Sequence, residues 1–324
     1  MAATSSKTVI FAALAGNSAI AVTKFVAASF TGSSAMLAEG IHSLVDTGNQ
    51  ALMLIGLARA KKPADARHPF GYGAEVYFWA FIVAVLIFAV GAGVSLYEGV
   101  VKIRNPHPIE RAWINYIVLV VAFVFEAGAW LLAWRAFAER KGKRGLFQAM
   151  RVSKDPTVFT VLLEDTAAMA GIIVAFAGIL AADLTGALWL DGLATLLIGV
   201  ILALVAVFLA YETKGLLIGE AASPATVQGL RKLIKESDGV LKLHELRTVH
   251  FGPDDILVAV SVDFEDRLDS RAVEIAVTQM EAAILEKYPR VERVFIEAQS
   301  PRDRAALRKA MKEQAESEKL EGKG

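Results

Sequence analysis

Apolar residues fall in long blocks as far as about residue 216 and in short alternating runs after it. A helix needs about 20 mostly apolar residues to cross a hydrocarbon core of about 30 Å. Six stretches meet that length: 8–29, 34–58, 76–101, 112–138, 157–182 and 189–212. Six crossings would return the chain to the side on which it began. The first stretch is too long for the apolar region of a signal peptide, lacks a strongly basic lead and runs straight into the second, so it reads as a span.

Beyond Gly219 the period changes. An amphipathic helix fits 225–238, with Val227, Leu230, Leu233 and Ile234 on one face. Strands fit 239–250 and 255–264, joined by a Gly-Pro-Asp-Asp turn. A second helix fits 270–287 and a short strand fits 292–298. The order helix, strand, strand, helix, strand predicts a small α+β sandwich with helices on one sheet face. The segment 301–324 is rich in Arg, Lys and Glu and reads as a charged tail, frayed or disordered. The domain reading is therefore 1–214 for a transmembrane domain, 215–300 for the α+β domain and 301–324 for the tail.

Polar residues inside the apolar blocks change the picture from a membrane anchor to a membrane machine. His42 and Asp46 lie in the second stretch, and Glu164 and Asp165 lie in the fifth. An ionisable group at the bilayer centre costs about 2.5–3.5 kcal/mol on insertion scales, so it persists where it faces a polar or ion-filled interior. His42 and Asp46 are four residues apart, hence one helical turn apart on one face, where both can touch the same ion. Glu164 and Asp165 are adjacent, so their side chains diverge by about 100°. One reads as a ligand, the other as a supporting acceptor, a proton carrier or an interhelical contact. Asn17 and Asn49 read as interhelical hydrogen-bonding groups without a ligand role, and Lys24 either pairs with a carboxylate or snorkels to the interface.

Composition narrows the chemistry. Hydrophobic residues make up 55% of the chain, and 34 Lys and Arg balance 34 Asp and Glu, so nothing marks a nucleic-acid partner. With no cysteine, disulfides and thiolate metal sites are excluded, and a metal must be held by nitrogen and oxygen. Basic residues near the spans set orientation. Arg59, Lys61, Lys62 and Arg67 follow the second span, and Arg140, Lys141, Lys143, Arg144, Arg151 and Lys154 follow the fourth. The connections at 30–33 and 183–188 have none, although Lys102, Arg104 and Arg111 flank the remaining one. Both termini are placed in the cytoplasm, and the lack of a targeting extension favours a prokaryotic plasma membrane.

Three motifs carry a family resemblance: Glu39-Gly-Ile-His42-Ser-Leu-Val-Asp46, Pro63-Ala-Asp65-Ala-Arg-His68-Pro-Phe-Gly71-Tyr-Gly73-Ala-Glu75, and Leu190-Asp191-Gly-Leu-Ala-Thr. With the domain order, they resemble the cation diffusion facilitators, proton-coupled exporters of zinc and related divalent metals. The resemblance implies a six-helix transport domain followed by a cytoplasmic, metallochaperone-like (ferredoxin-like) domain that dimerises. It implies no cofactor beyond the transported ion, zinc first, with manganese, iron and cobalt as alternatives.

Carried over, the transport site would use His42, Asp46 and Asp165; the family's second histidine falls on Val161, and Glu164 is the nearest replacement. A weaker second site would use Asp65 and His68, with Tyr72 where another histidine is common; the competing reading is a capped turn. In the α+β domain His244 matches a metal position, while the other positions hold Ser261, Glu297 and Gln299, so dimerisation through packing with weak or no metal sensing is expected. Competing classes are a membrane-anchored metal sensor, a transport-inactive homologue and an intramembrane metalloenzyme. The last lacks an HExxH pair and any nucleophile pattern.

Overall fold

In the computed structural model, residues 2–109, 111–141, 145, 149–150 and 153–300 are described. The charged tail 301–324 lies outside them, as do Lys143, Arg144 and Arg151 of the basic connection. The chain divides at Ile218/Gly219 into two compact units.

Among the described residues, the first unit holds six long helices: α1 (Ala2–Thr31), α2 (Ser34–Ala60), α3 (Glu75–Arg104), α4 (Ala112–Lys141), α5 (Pro156–Thr185) and α6 (Trp189–Leu217). Each covers one of the six apolar stretches. By length and composition, four helices among the described residues can cross a membrane: α3, α4 within Ala112–Arg135, α5 within Phe159–Thr185, and α6. Helix α2 differs because it carries a buried polar stripe of Ser34, Glu39, His42, Ser43, Asp46 and Asn49. Its apolar Leu44 and Ile55 are turned outward, as are Val22, Val26 and Phe30 of α1.

Local chemistry explains where the helices begin and end. Ser33 caps α2 by accepting from the Met36 amide at 3.2 Å. Asp155 caps α5 by accepting from the Thr157 amide at 3.1 Å, with Pro156 in the first turn, where its missing N–H costs nothing. Gly186 ends α5 at φ 71°, a left-handed conformation that a side chain would strain. Helix α3 contains a π-helical turn at Ile87–Ala92, which the apolar period alone does not predict.

Helix α2 packs against α1, α3, α5 and α6, so its polar stripe is enclosed by helices. Helix α4 packs on α1 and α5, and α5 packs on α6. The C-terminal half of α3 lies along α6, where Gly99, Gly192 and Gly199 let the backbones approach; a Cβ on Gly99 would meet Leu196 at 2.8 Å. Tyr77, Phe159, Leu119, Ile179, Ile198 and Leu202 belong to the apolar core.

The second unit follows the predicted order. Helix α7 (Pro224–Lys235) is capped by Ser223, and α8 (Ser270–Lys287) by Asp269. Strands β1 (Val240–Gly252), β2 (Asp255–Phe264) and β3 (Val291–Ala298) form one sheet in that order. Strands β1 and β2 pair antiparallel, and β2 and β3 pair parallel. Leu230 and Ile234 of α7, Val258, Val260 and Val262 of β2, and Met280 and Ile284 of α8 form its core. The register of β1 shifts between Leu243 and Glu245, which places His244 at an irregularity in the ladder.

Candidate metal centre

The helical period brings His42 and Asp46 together as the spacing requires. His42 Nδ1 lies 3.4 Å from Asp46 Oδ1, and the residues are 1% and 7% exposed. Neither ring nitrogen of His42 makes a hydrogen bond, nor does Asp46 Oδ1. An imidazole buried with neither nitrogen hydrogen-bonded, and only the Asp46 carboxylate 3.4 Å away, is costly to hold in an apolar interior.

Glu164 and Asp165 are both buried, at 5% and 8% exposure, and they diverge as neighbours on a helix must. Glu164 Oε1 accepts from Asn49 Nδ2 of α2 at 2.9 Å. Asp165 feels the charge of Glu126 on α4, and its Oδ2 makes no hydrogen bond. Asp46 feels Glu164, Glu126 and Asp165, in decreasing order. The acidic groups of α2, α4 and α5 thus share one electrostatic environment. Their side chains do not converge into a finished cage: among the described residues, no three His, Asp or Glu stand in a geometry ready to hold one ion.

Glu126 was missed from the sequence. At a rise of 1.5 Å per residue it lies about 21 Å along a helix of about 45 Å, near the midpoint, and it is 5% exposed. The rule that an acid at mid-span is functional would have found it, but no ligand-spaced partner on its own helix drew attention to it.

A second polar cluster adjoins the first. Lys24 Nζ of α1 donates to Glu39 Oε2 and to Ser43 Oγ, each at 2.9 Å, and both charged side chains are wholly buried. Lys24 therefore takes the pairing alternative and not the interfacial one. Glu39 Oε1 faces α5 so closely that a methyl group on Gly171 would strike it. At the Ser34 end of α2, the Asp191 carboxylate accepts from Ser33 Oγ at 2.8 Å, the Ser34 amide at 2.9 Å, Ser34 Oγ at 3.1 Å and the Ala35 amide at 3.3 Å. This residue of the LDGLAT motif thus caps a different helix and satisfies amides that α2 cannot pair internally. Lys102 Nζ stands 3.6 Å from the same carboxylate.

The loop with Asp65 and His68 is exposed and tied to itself. Asp65 Oδ1 accepts from the amides of Arg67 at 2.9 Å and His68 at 2.7 Å, and Oδ2 accepts from the Tyr72 hydroxyl at 2.7 Å. The His68 ring lies against Tyr72, with centroids 4.2 Å apart. This is the geometry of a capped turn. The Tyr72 hydroxyl first, and then the His68 amide, hold the Asp65 carboxyl below the usual carboxylate range. A depressed carboxyl stabilises the folded loop above its unfolded pKa, about 3.9, and that contribution is lost as pH falls through the folded value. Tyr72→Phe is expected to move the loss to higher pH. The Asp65 side-chain carbon shift, followed by NMR against pH, checks this; an unchanged midpoint removes Tyr72 as the cause.

In the second unit His244 is half-buried, and its Nε2 makes no hydrogen bond. Ser261 pairs in register with Glu245 on one side and Glu297 on the other, and its hydroxyl donates to Gln299 Oε1 at 3.4 Å.

Comparison with known proteins adds an independent line. Residues 10–218 match the family described as Cation efflux transmembrane domain, and residues 222–299 match Cation efflux protein, cytoplasmic domain. The proton-coupled zinc antiporter SLC30A9, mitochondrial, of Homo sapiens is 34% identical over 77% of this chain and 44% of its own length. Metal tolerance protein C4 of Arabidopsis thaliana is 29% identical over 73% of this chain and 52% of its own. The cation-efflux pump FieF of Klebsiella pneumoniae is 26% identical over 86% of this chain and 87% of its own. The chain thus spans less than half the length of the first of these relatives.

Proposed function

The chain belongs to the cation efflux, or cation diffusion facilitator, family of membrane proteins, and from that premise we propose that it exports divalent metal in exchange for protons, zinc first. The observation that carries this reading is His42, wholly buried with both ring nitrogens unbonded, one turn from Asp46 and within the acidic environment of α2, α4 and α5. The names of the human antiporter and the bacterial pump point the same way.

In this reading all six helices cross the bilayer, with both termini in the cytoplasm. The outward-facing Val22, Val26 and Phe30 of α1 and Leu44 of α2 support the two additional spans. The ion is the substrate, bound by His42, Asp46 and Asp165 with help from Glu164; Asp65 with His68, and His244, are weaker positions. In this reading α2 and α5 bring these groups together around the ion, and the protein works by alternating between conformations. Imidazole must be neutral and carboxylates ionised to hold a cation, so metal and protons compete for the same atoms. That competition is the coupling: metal displaces protons on one side, and protons displace metal on the other. Residues 222–299 serve as the dimerisation domain of a homodimer.

The test is metal uptake into proteoliposomes across a pH gradient, comparing zinc, manganese, iron and cobalt. Zinc flux that depends on the gradient, and proton movement that depends on zinc, are expected. A wild type that moves none of the four metals overturns the reading.

A further inference from the structure

Asn49 holds a place in this cluster that an interhelical hydrogen bond does not account for. It follows Asp46 by three residues and His42 by seven, so the three side chains share one face of α2. It is 1% exposed. Its Nδ2 donates to Glu164 Oε1 at 2.9 Å, which uses one end of the amide. The other end, Oδ1, is buried and accepts no hydrogen bond. With Glu164 ionised, as it must be to hold a cation, the carboxylate can only accept, so the amide presents its NH₂ to it and leaves Oδ1 free. A buried amide oxygen with both lone pairs unused lies on the same stripe as an imidazole with both nitrogens unused.

We infer that Asn49 is a specificity-determining residue of the intramembrane site: its NH₂ orients Glu164, and its amide oxygen is a neutral donor to the bound cation. This rests on the reading that the site binds divalent cations for export. The amide oxygen differs from the other donors in two ways. It is hard, like carboxylate and water, and such donors suit manganese, whereas imidazole suits zinc, iron and nickel. It also does not titrate, so it adds coordination without adding proton competition. The site is thereby shifted toward accepting harder ions alongside zinc.

The experiment measures equilibrium binding of Mn2+, Co2+ and Zn2+ by calorimetry to the purified full chain in detergent, for wild type, Asn49→Leu and Asn49→His. Asn49→Leu keeps the volume and removes both polar ends. It is expected to weaken Mn2+ at least about tenfold more than Zn2+, within the 10–100-fold range typical of groups that support a metal site. Asn49→His is expected to move the preference further toward Zn2+. Because the readout is a ratio within one folded sample, a general loss of stability does not mimic it. Equal weakening of all three ions makes Asn49 a packing residue and overturns the inference, as does a wild type that binds Zn2+ and no Mn2+. A wild type that binds the metals but transports none defeats the export reading and leaves the ligand assignment standing. Absence of binding by any of the three ions defeats both.

Discussion

Replacing Asp46 with alanine, and in a second variant Asp165 with alanine, is expected to lower metal flux by more than about 100-fold. Even groups that only support a metal's ligands typically contribute 10–100-fold. Each aspartate presents a buried oxygen with no hydrogen-bond partner. In a low-dielectric interior, removing one carboxylate takes away both a ligand and a charge that opposes the cation. The same variants should fold, and they should be no less stable than wild type. Carboxylates crowded beside Glu126 and Glu164 are costly to bury, and that cost disappears with them. Proteoliposome flux, together with thermal unfolding of the detergent-solubilised protein, measures both quantities. Near-normal flux in either variant removes that residue from the site; a collapse of folding shows that it is a structural residue.

The second large effect concerns stability. Lys24→Met leaves Glu39 wholly buried without its cation, and breaking a buried pair from one side costs about 3–5 kcal/mol. The double variant Lys24→Met with Glu39→Gln removes both charges and should recover most of that loss, since replacing a buried pair is often close to neutral. Ser43 loses a donor in both variants, so its contribution cancels in the comparison. Unfolding free energies of wild type, both single variants and the double variant form the cycle that measures the coupling. If Lys24→Met and the double variant are equally stable, the pair contributes nothing as a pair.

Much of this was legible in the sequence because the hydrophobic period carries it. The stretch 34–58 became Ser34–Ala60, and 270–287 became Ser270–Lys287. The four-residue spacing of His42 and Asp46 survived folding because a helix enforces it locally. The divergence of Glu164 and Asp165 follows from the same geometry, but which helix each faces does not. That depends on α2 lying on one side of α5 and α4 on another. Pairing of Lys24 with a carboxylate was one of two alternatives, and the partner, Glu39, 15 residues away across a helix hairpin, was not named. The role of Asp191 could not be read at all, because it acts on a helix end more than 150 residues earlier. Glu126 was legible in principle, since a single acid at mid-span is a signal even without a neighbour at ligand spacing.

The cap that Asp191 places on α2 limits how that helix can move. Four hydrogen bonds converge on the first turn of α2, from two backbone amides and two hydroxyls. Sliding α2 along its axis would break all four at once and leave the carboxylate with Lys102, 3.6 Å away. Swinging the helix about its Ser34 end preserves them. A swing of 10° about that point displaces Asp46, about 18 Å along the helix, by about 3 Å, whereas Arg59, about 38 Å along, moves about 6–7 Å. The pinned end therefore makes α2 a lever, with the candidate ligands near its middle and the largest travel at its far end, where Arg59 meets Glu75 of α3.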